Sequence, residues 1–377
     1  MNEQLTVTAE RFREVFHGVR DEVAKVVVGQ DRVITHLLGA VFAEGHVLLK
    51  GAPGLGRTLM VRALAEALGF EYGRIQFTPD LLPTDITGAE VLEHDRVMGE
   101  RRFRFFKGPV FANMVLADEV NRSPARTQAA LLEVMQEQQI TVGGTTHYLP
   151  RPFTLIATQN TLDHQGVFAL GEAQVDRFLM LIEQDYPSEP EEKKILDLTT
   201  GTYRGTITPI TNPEEILAMQ SLIRDVPVVP SVKAFAMAIV RGSRPEEDDA
   251  PPAVRENVRL GASPRATQAL IRLGKVIALS RGRTHVSRTD IMEVARPVLA
   301  HRLLVNFRSQ AQGRDYNYVL KELLADARSK GQPSPSFWSR SVLQLDSETA
   351  PGPRRLRLWR KNKGAATPDE EGGTSAA

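Results

Sequence analysis

Short apolar runs alternate with helical patterns through the first half of the chain. Residues 47–49, 75–77, 114–117, 153–157 and 178–182 read as strands. Between them, residues 58–68 place Val61, Leu64, Ala65 and Leu68 on one helical face, and residues 128–136 do the same with Ala129, Leu132 and Met135. Strands alternating with helices predict a parallel, doubly wound sheet covered by helices. Beyond Tyr186-Pro187 the strand signals fade. Ile216, Met219, Leu222 and Ile223, then Leu273, Ile277, Ile291, Val294 and Val298 recur at helical spacing, which predicts a second, mostly helical unit. Residues 244–254 are polar and proline-rich and read as an exposed loop inside that unit. Proline, serine and glycine accumulate from about residue 331 onward, a composition of disorder. The expected organisation is a helical segment over 1–25, an α/β domain over 26–187, a helical domain over 188–330 and a disordered tail over 331–377.

Composition narrows the function classes. The 377 residues contain 47 Lys and Arg against 46 Asp and Glu, so the whole-chain charge gives no long-range attraction to nucleic acid or membrane. The absence of cysteine excludes disulfides, thiol nucleophiles and thiolate metal sites. No run of about 18 apolar residues is present to suggest a membrane span, and residues 1–20 lack the apolar core of a secretory signal. A cytoplasmic location is the expectation.

The densest chemical signal is Gly51-Ala52-Pro53-Gly54-Leu55-Gly56-Arg57-Thr58, followed by Leu59, directly after a predicted strand and directly before a predicted helix. Glycines at 51, 54 and 56 let the backbone wrap with its N–H groups inward, and the helix N-terminus adds its dipole, which makes a cradle for a polyphosphate. Thr58 offers a hydroxyl for Mg²⁺. The position before it ordinarily carries lysine, and here it is Arg57. A planar guanidinium does not simply replace a compact ammonium between phosphates, and by analogy with loss of one transition-state donor the penalty is on the order of 10²–10³ in rate if no neighbour compensates.

Downstream, Met114-Val115-Leu116-Ala117-Asp118-Glu119 is an apolar strand ending in two carboxylates. Asp118 suits a hydrated Mg²⁺ and Glu119 a general base that polarises the attacking water. A third apolar run ends in Thr158-Gln159-Asn160, whose terminal amide suits contacts with both water and γ-phosphate.

With these motifs together, the chain resembles the MoxR branch of the AAA+ ATPases, close to magnesium-chelatase ATPase subunits and minichromosome-maintenance helicases. The resemblance runs from about residue 26 to residue 302. It includes Gly108-Pro109-Val110-Phe111, Asp118-Glu119-Val120-Asn121-Arg122, Glu172-Ala173-Gln174-Val175-Asp176-Arg177-Phe178 and Gly261-Ala262-Ser263-Pro264-Arg265. It implies an AAA+ P-loop core with a smaller all-helical lid, assembled as a homo-oligomeric, usually hexameric, ring with ATP and Mg²⁺ at each subunit boundary. It further implies Arg177 as an arginine finger, Arg265 as a second sensor coupling phosphate state to lid angle, and Val28-Gly29-Gln30 as the segment bordering adenine. A client protein complex and a partner carrying a von Willebrand factor A domain are implied by the same kinship.

Arg57, Thr161 and Gly171 depart from the family pattern, the last two standing where proline is usual. Residues 90–106 match the family's hairpin insertion, where arginines alternate with Phe103, Phe105 and Phe106. Arg354, Arg355, Arg357, Arg360, Lys361 and Lys363 surround Leu356, Leu358 and Trp359, a cluster suited to peripheral contact with an anionic membrane, against the plainer reading of a solvated tail. Nucleic acid is disfavoured as a partner by the neutral charge and the lack of a separate binding module. The leading expectation is an ATP-driven, chaperone-like remodelling factor that matures or inserts metal into its client. Its rival is an ATP-gated scaffold in which Arg57 permits binding and slows or abolishes hydrolysis.

Overall fold

The computed structural model describes residues 3–94, 101–160, 168–201 and 205–329, so Thr161, the 331–377 tail and its basic cluster lie outside the described residues. Helix α1 (Glu3–Val23) turns Phe12, Val15, Phe16, Val19 and Val23 to one side, a buried stripe at three-and-four spacing. Beside it lies α2 (Asp31–Phe42), with the Phe42 ring 4.8 Å from that of Phe12. Strand β1 (Val47–Gly51) leads through the glycine loop into α3 (Arg57–Leu68), which Gly69 ends in the left-handed conformation, and then β2 (Tyr72–Gln76). A short helix α4 (Pro83–Thr87) precedes an antiparallel hairpin of β3 (Gly88–His94) and β4 (Arg101–Lys107), which is the insertion expected from sequence. Next come β5 (Met114–Asp118), a single 3-10 turn (Val120–Arg122) and α5 (Ala125–Glu137). A second hairpin, β6 (Gln139–Val142) and β7 (Thr145–Tyr148), leads to β8 (Thr154–Asn160), α6 (Glu172–Val175) and β9 (Met180–Gln184).

The five longer-range strands form one parallel sheet in the order β2-β5-β8-β1-β9. All five predicted apolar runs are in it, with bounds displaced by up to three residues. Strand alternation sorts their side chains between two cores. Val47, Leu49, Met114, Leu116, Ile156, Met180 and Ile182 join α1, α2 and α3 on one face, while Leu48, Val115, Ala117, Leu155, Ala157 and Leu181 join α4 and α5 on the other. Apolar coverage on both faces is why these strands read as continuous hydrophobic runs.

The remainder is helical: α7 (Glu189–Thr200), α8 (Pro213–Asp225), α9 (Pro230–Gly242), α10 (Pro252–Asn257), then, after a strand β10 (Val258–Leu260), α11 (Pro264–Ser280) and α12 (Arg288–Leu299). Strand β11 (Leu304–Val305), α13 (Phe307–Ala311) and α14 (Tyr316–Ser329) follow. The lid is thus not wholly helical, because β10 and β11 pair antiparallel within it. The loop expected over 244–254 is shorter than that: α10 begins at Pro252, a residue whose fixed φ suits a first helical position, and Ala250 is buried. Helix α1 packs on both α3 and α11, so the N-terminal segment shares one continuous core with the α/β part and the lid.

His46, just before β1, shows how tightly the sheet is tied to its helices. Its Nδ1 accepts the Leu155 N–H at 3.0 Å, and Nε2 donates to the Met135 carbonyl at 3.1 Å, so the neutral ring uses both nitrogens. Burial pushes its pKa down to about 4. In the unfolded chain the ring titrates near 6.5, so the unfolded state takes up the proton first as pH falls. The neutral ring's contribution is fully present above about pH 6.5 and is lost toward pH 4, about 3 kcal/mol over that window. Urea unfolding between pH 7 and pH 4.5 is expected to show falling stability that His46→Gln flattens; an equally steep fall in the variant would contradict this.

Candidate functional site

The loop between β1 and α3 has the backbone of an anion cradle. Gly54 and Gly56 have φ of 82° and 70°, and a Cβ on either would meet nothing within 4 Å, so glycine is required there for conformation rather than for space. Gly51 is the opposite case: a Cβ there would lie 2.6 Å from the Gln184 carbonyl oxygen and 3.0 Å from Arg57 Nη2. The first turn of α3 carries no side-chain cap, which leaves its N–H groups for an anion. Thr58 is half-buried at that first turn, and Leu59 beside it is exposed.

Arg57 does not extend away from the loop. Its Nη2 donates to the Ala52 carbonyl at 2.9 Å and its Nε to Gln184 Oε1 at 3.1 Å, while Gln184 Nε2 donates to the Leu55 carbonyl at 2.9 Å. Burial lowers the guanidinium's pKa, and the charges of Asp118 and Glu119 oppose that shift, so the cation sits within the field of both carboxylates.

Asp118 ends β5. Its Oδ1 accepts from Thr158 Oγ1 at 2.8 Å and its Oδ2 from Arg74 Nη2 at 2.8 Å. Glu119 follows in the left-handed region at φ 59°, a conformation that strains a residue with a side chain by about 1–2 kcal/mol. Its N–H donates to Thr158 Oγ1 at 2.8 Å, so one hydroxyl fixes both the strained peptide and the neighbouring carboxylate. The Glu119 side chain accepts from Arg122 at 2.9 Å and from Gln76 at 3.4 Å. Asn160 ends β8 and is the register partner of Gly51.

These residues meet because the sheet lines up its strand ends: Gln76 beside Asp118, Asn160 beside Gly51, and Gly51 beside Gln184. Alternation puts Arg74, Gln76, Asp118, Thr158 and Gln184 on the face that carries α3. The oxygen donors Thr58 and Asp118 suit Mg²⁺, which takes few protein ligands and completes its shell with phosphate oxygens and water.

Arg177 and Arg265 lie elsewhere. Residue 177 precedes β9, whose ladder with β1 begins where the Leu179 N–H meets the His46 carbonyl at 2.8 Å and runs to Gln184 beside Gly51. Five residues of strand, roughly 16 Å, separate that edge from the glycine loop. Arg177 is half-buried and its guanidinium has no hydrogen bond or ion pair among the described residues. Arg265 opens α11 and reaches Asp176 at 3.4 Å, where Ser263 and Arg302 also bind at 2.8 Å. Arg265, the second-sensor candidate, is thus paired with Asp176 just before β9. Val28-Gly29-Gln30 precedes α2, with Gly29 at φ 73° packed so closely against Glu191 of α7 that a Cβ would lie 2.5 Å from the carboxyl carbon. Gly171 is the N-cap of α6, its N–H donating to Gln174 Oε1 at 2.8 Å.

Sequence reasoning missed Arg74, Gln76, Thr158 and Gln184 as parts of the site. The available signal was strand alternation counted back from Asp118 and Asn160, but pairing across β2, β5, β8 and β9 needs the sheet order.

Comparison with known proteins accords with this geometry. The model of the ATPase family associated with various cellular activities (AAA) matches residues 46–180, and that of the AAA lid domain matches residues 252–322. Chaperone MoxR1 of Mycobacterium tuberculosis is 40% identical over 308 residues, which cover 80% of this chain and 79% of that one. Protein MoxR of Methylorubrum extorquens is 31% identical over 300 residues, 75% of this chain and 86% of that one. A crystal structure of a Cytophaga hutchinsonii protein superposes with a TM-score of 0.79 at 38% identity, over 85% of this chain and 96% of the other.

Thr158 gives a direct check on the geometry. Thr158→Val keeps the shape and removes the hydroxyl, leaving the Glu119 N–H without its acceptor, and is expected to lower stability by about 1–3 kcal/mol in urea unfolding. Thr158→Ser is expected to retain most of it; a valine variant as stable as wild type would refute the assignment.

Proposed function

The chain belongs to the MoxR family of AAA+ ATPases, and we propose that it binds and hydrolyses Mg²⁺·ATP between adjoining subunits of a hexameric ring. The observation that carries this reading is the division of charged groups between two sheet edges. The phosphate loop, Asp118, Glu119 and Asn160 gather at one edge, while Arg177, without a partner among the described residues, waits at the other. An arginine that lies so far from its own loop serves catalysis by reaching the loop of a neighbour.

In this reading the N–H groups of the loop and of the first turn of α3 hold the β- and γ-phosphates, and Arg57 adds a cation. Val28, Gly29 and Gln30 border the adenine. Thr58 and Asp118 would hold Mg²⁺, which supplies charge neutralisation on the phosphate oxygens. Glu119 takes a proton from the attacking water as its oxygen bonds to the γ-phosphorus, and the β–γ bridging oxygen leaves with ADP. Asn160 orients that water. Arg177 of the neighbour stabilises the charge that develops on the transferred group, and Arg265 acts as the second sensor that couples phosphate state to lid angle. Changes at the nucleotide then shift the lid and remodel a client protein complex, including metal insertion, together with a partner bearing a von Willebrand factor A domain, in the cytoplasm. No described helix is long and apolar enough to cross a membrane.

A slower, scaffold-like variant of this reading draws on Arg57 standing where lysine is usual, with one Nη2 donor already on the Ala52 carbonyl. Arg57→Lys separates the two by whether turnover rises.

The test is Mg²⁺-dependent ATP hydrolysis by wild type, Glu119→Gln, Arg177→Ala and an equal mixture of the two variants. Each variant alone is expected to lose on the order of 10²-fold or more in kcat while still binding ATP. The exchanged mixture is expected to recover a measurable fraction, because some interfaces pair an intact Glu119 with an intact Arg177. A mixture no more active than its components would contradict sites built between subunits.

A further inference from the structure

The lysine usually found before Thr58 is a point charge, whereas Arg57 is a planar fork whose usefulness depends on its orientation. In this chain the orientation has a visible cause. Gln184, the last residue of β9, is 4% exposed and is held beside Gly51 by the β1–β9 ladder. Its side-chain amide spans the two features of the loop that matter. The oxygen accepts the Arg57 Nε–H at 3.1 Å, and the nitrogen donates to the Leu55 carbonyl at 2.9 Å. The partners dictate this orientation of the amide, since a guanidinium only donates and a carbonyl only accepts.

We infer that Gln184 is a positioning residue for Arg57: it takes up the Nε–H, so that the Nη edge of the fork turns into the phosphate cradle and an arginine serves where a lysine is usual. The inference rests on the nucleotide-site reading above. Its chemistry is a count of donors. Of the five N–H groups of a guanidinium, Gln184 takes one and the Ala52 carbonyl another, which leaves three on the Nη atoms. The bond to Ala52 is a main-chain contact at the mouth of the loop, which a phosphate oxygen replaces with a stronger, charge-assisted acceptor. The bond to Gln184 lies on the strand side and persists. Without Gln184, the half-buried Nε–H has no acceptor and turns the fork toward one, which moves Nη out of line. A lysine has no Nε–H to satisfy and makes no such demand. Neither glutamate nor methionine can do the same: a carboxylate loses the donor to Leu55 and sets a negative charge beside the phosphates, and a thioether satisfies neither partner.

The experiment measures ATP affinity by equilibrium dialysis, with kcat and KM alongside, for the full chain as wild type, Gln184→Met, Arg57→Lys and the double variant. Gln184→Met is expected to weaken ATP binding about tenfold with Arg57 present and threefold or less in the Arg57→Lys background, as for loss of a hydrogen bond that only the guanidinium uses. An equal loss in both backgrounds would mean that Gln184 only shapes the loop through Leu55, and no loss in either would mean it does nothing for binding; both overturn the inference. Gln184→Asn, which keeps the amide and withdraws it by one methylene, carries the same test with the same expected pattern if the methionine variant does not fold. Wild type that takes up no ATP at all defeats the nucleotide-site reading itself, whereas wild type that binds ATP without this coupling defeats only the role of Gln184.

Discussion

The backbone ladder of five parallel strands sets a register in which Gln76 lies beside Asp118, Asp118 reaches Thr158 two residues before the end of β8, and Asn160, Gly51 and Gln184 lie side by side. A slip of one residue in any strand would turn its terminal side chain to the opposite face. Apolar cores on both faces prevent such a slip, because each strand would have to exchange its two sets of buried side chains. Stability and function are thus specified by the same alternation. The local strain at Glu119 is tolerated because Thr158 on the neighbouring strand is held in place to receive its N–H.

Strand β9 is the joint between this edge and the lid. Gln184 faces the glycine loop, while Glu183, on the opposite face, accepts from Arg296 of α12 at 3.0 Å and from the hydroxyl of Tyr316 in α14. Consecutive residues of one strand therefore touch the phosphate loop and the lid helices.

Much of this was legible in the chain itself. Buried parallel strands announce themselves as apolar runs, and the glycine loop and acidic pair sit at positions where few other residues would serve. The β6–β7 hairpin was not legible from hydrophobicity because most of its residues face solvent; Gly143-Gly144 between two short polar segments was the available cue. Arg74 and Gln76 become partners of Asp118 and Glu119 only once β2 is placed against β5, a pairing that no local pattern encodes. Arg265 was legible as the opening of a helix, yet the edge of the sheet it faces follows from how the lid docks, which no local pattern encodes.

A structure of the assembled protein with Mg²⁺ and a non-hydrolysable ATP analogue is the decisive measurement of whether the β1–α3 loop holds a triphosphate that the adjoining subunit completes. The expected result is β- and γ-phosphates against residues 51–58, Arg57 Nη released from the Ala52 carbonyl with Nε still on Gln184, and Arg177 of the neighbouring subunit at the γ-phosphate. Nucleotide bound away from that loop, or a γ-phosphate approached by no arginine of a second subunit, would contradict it.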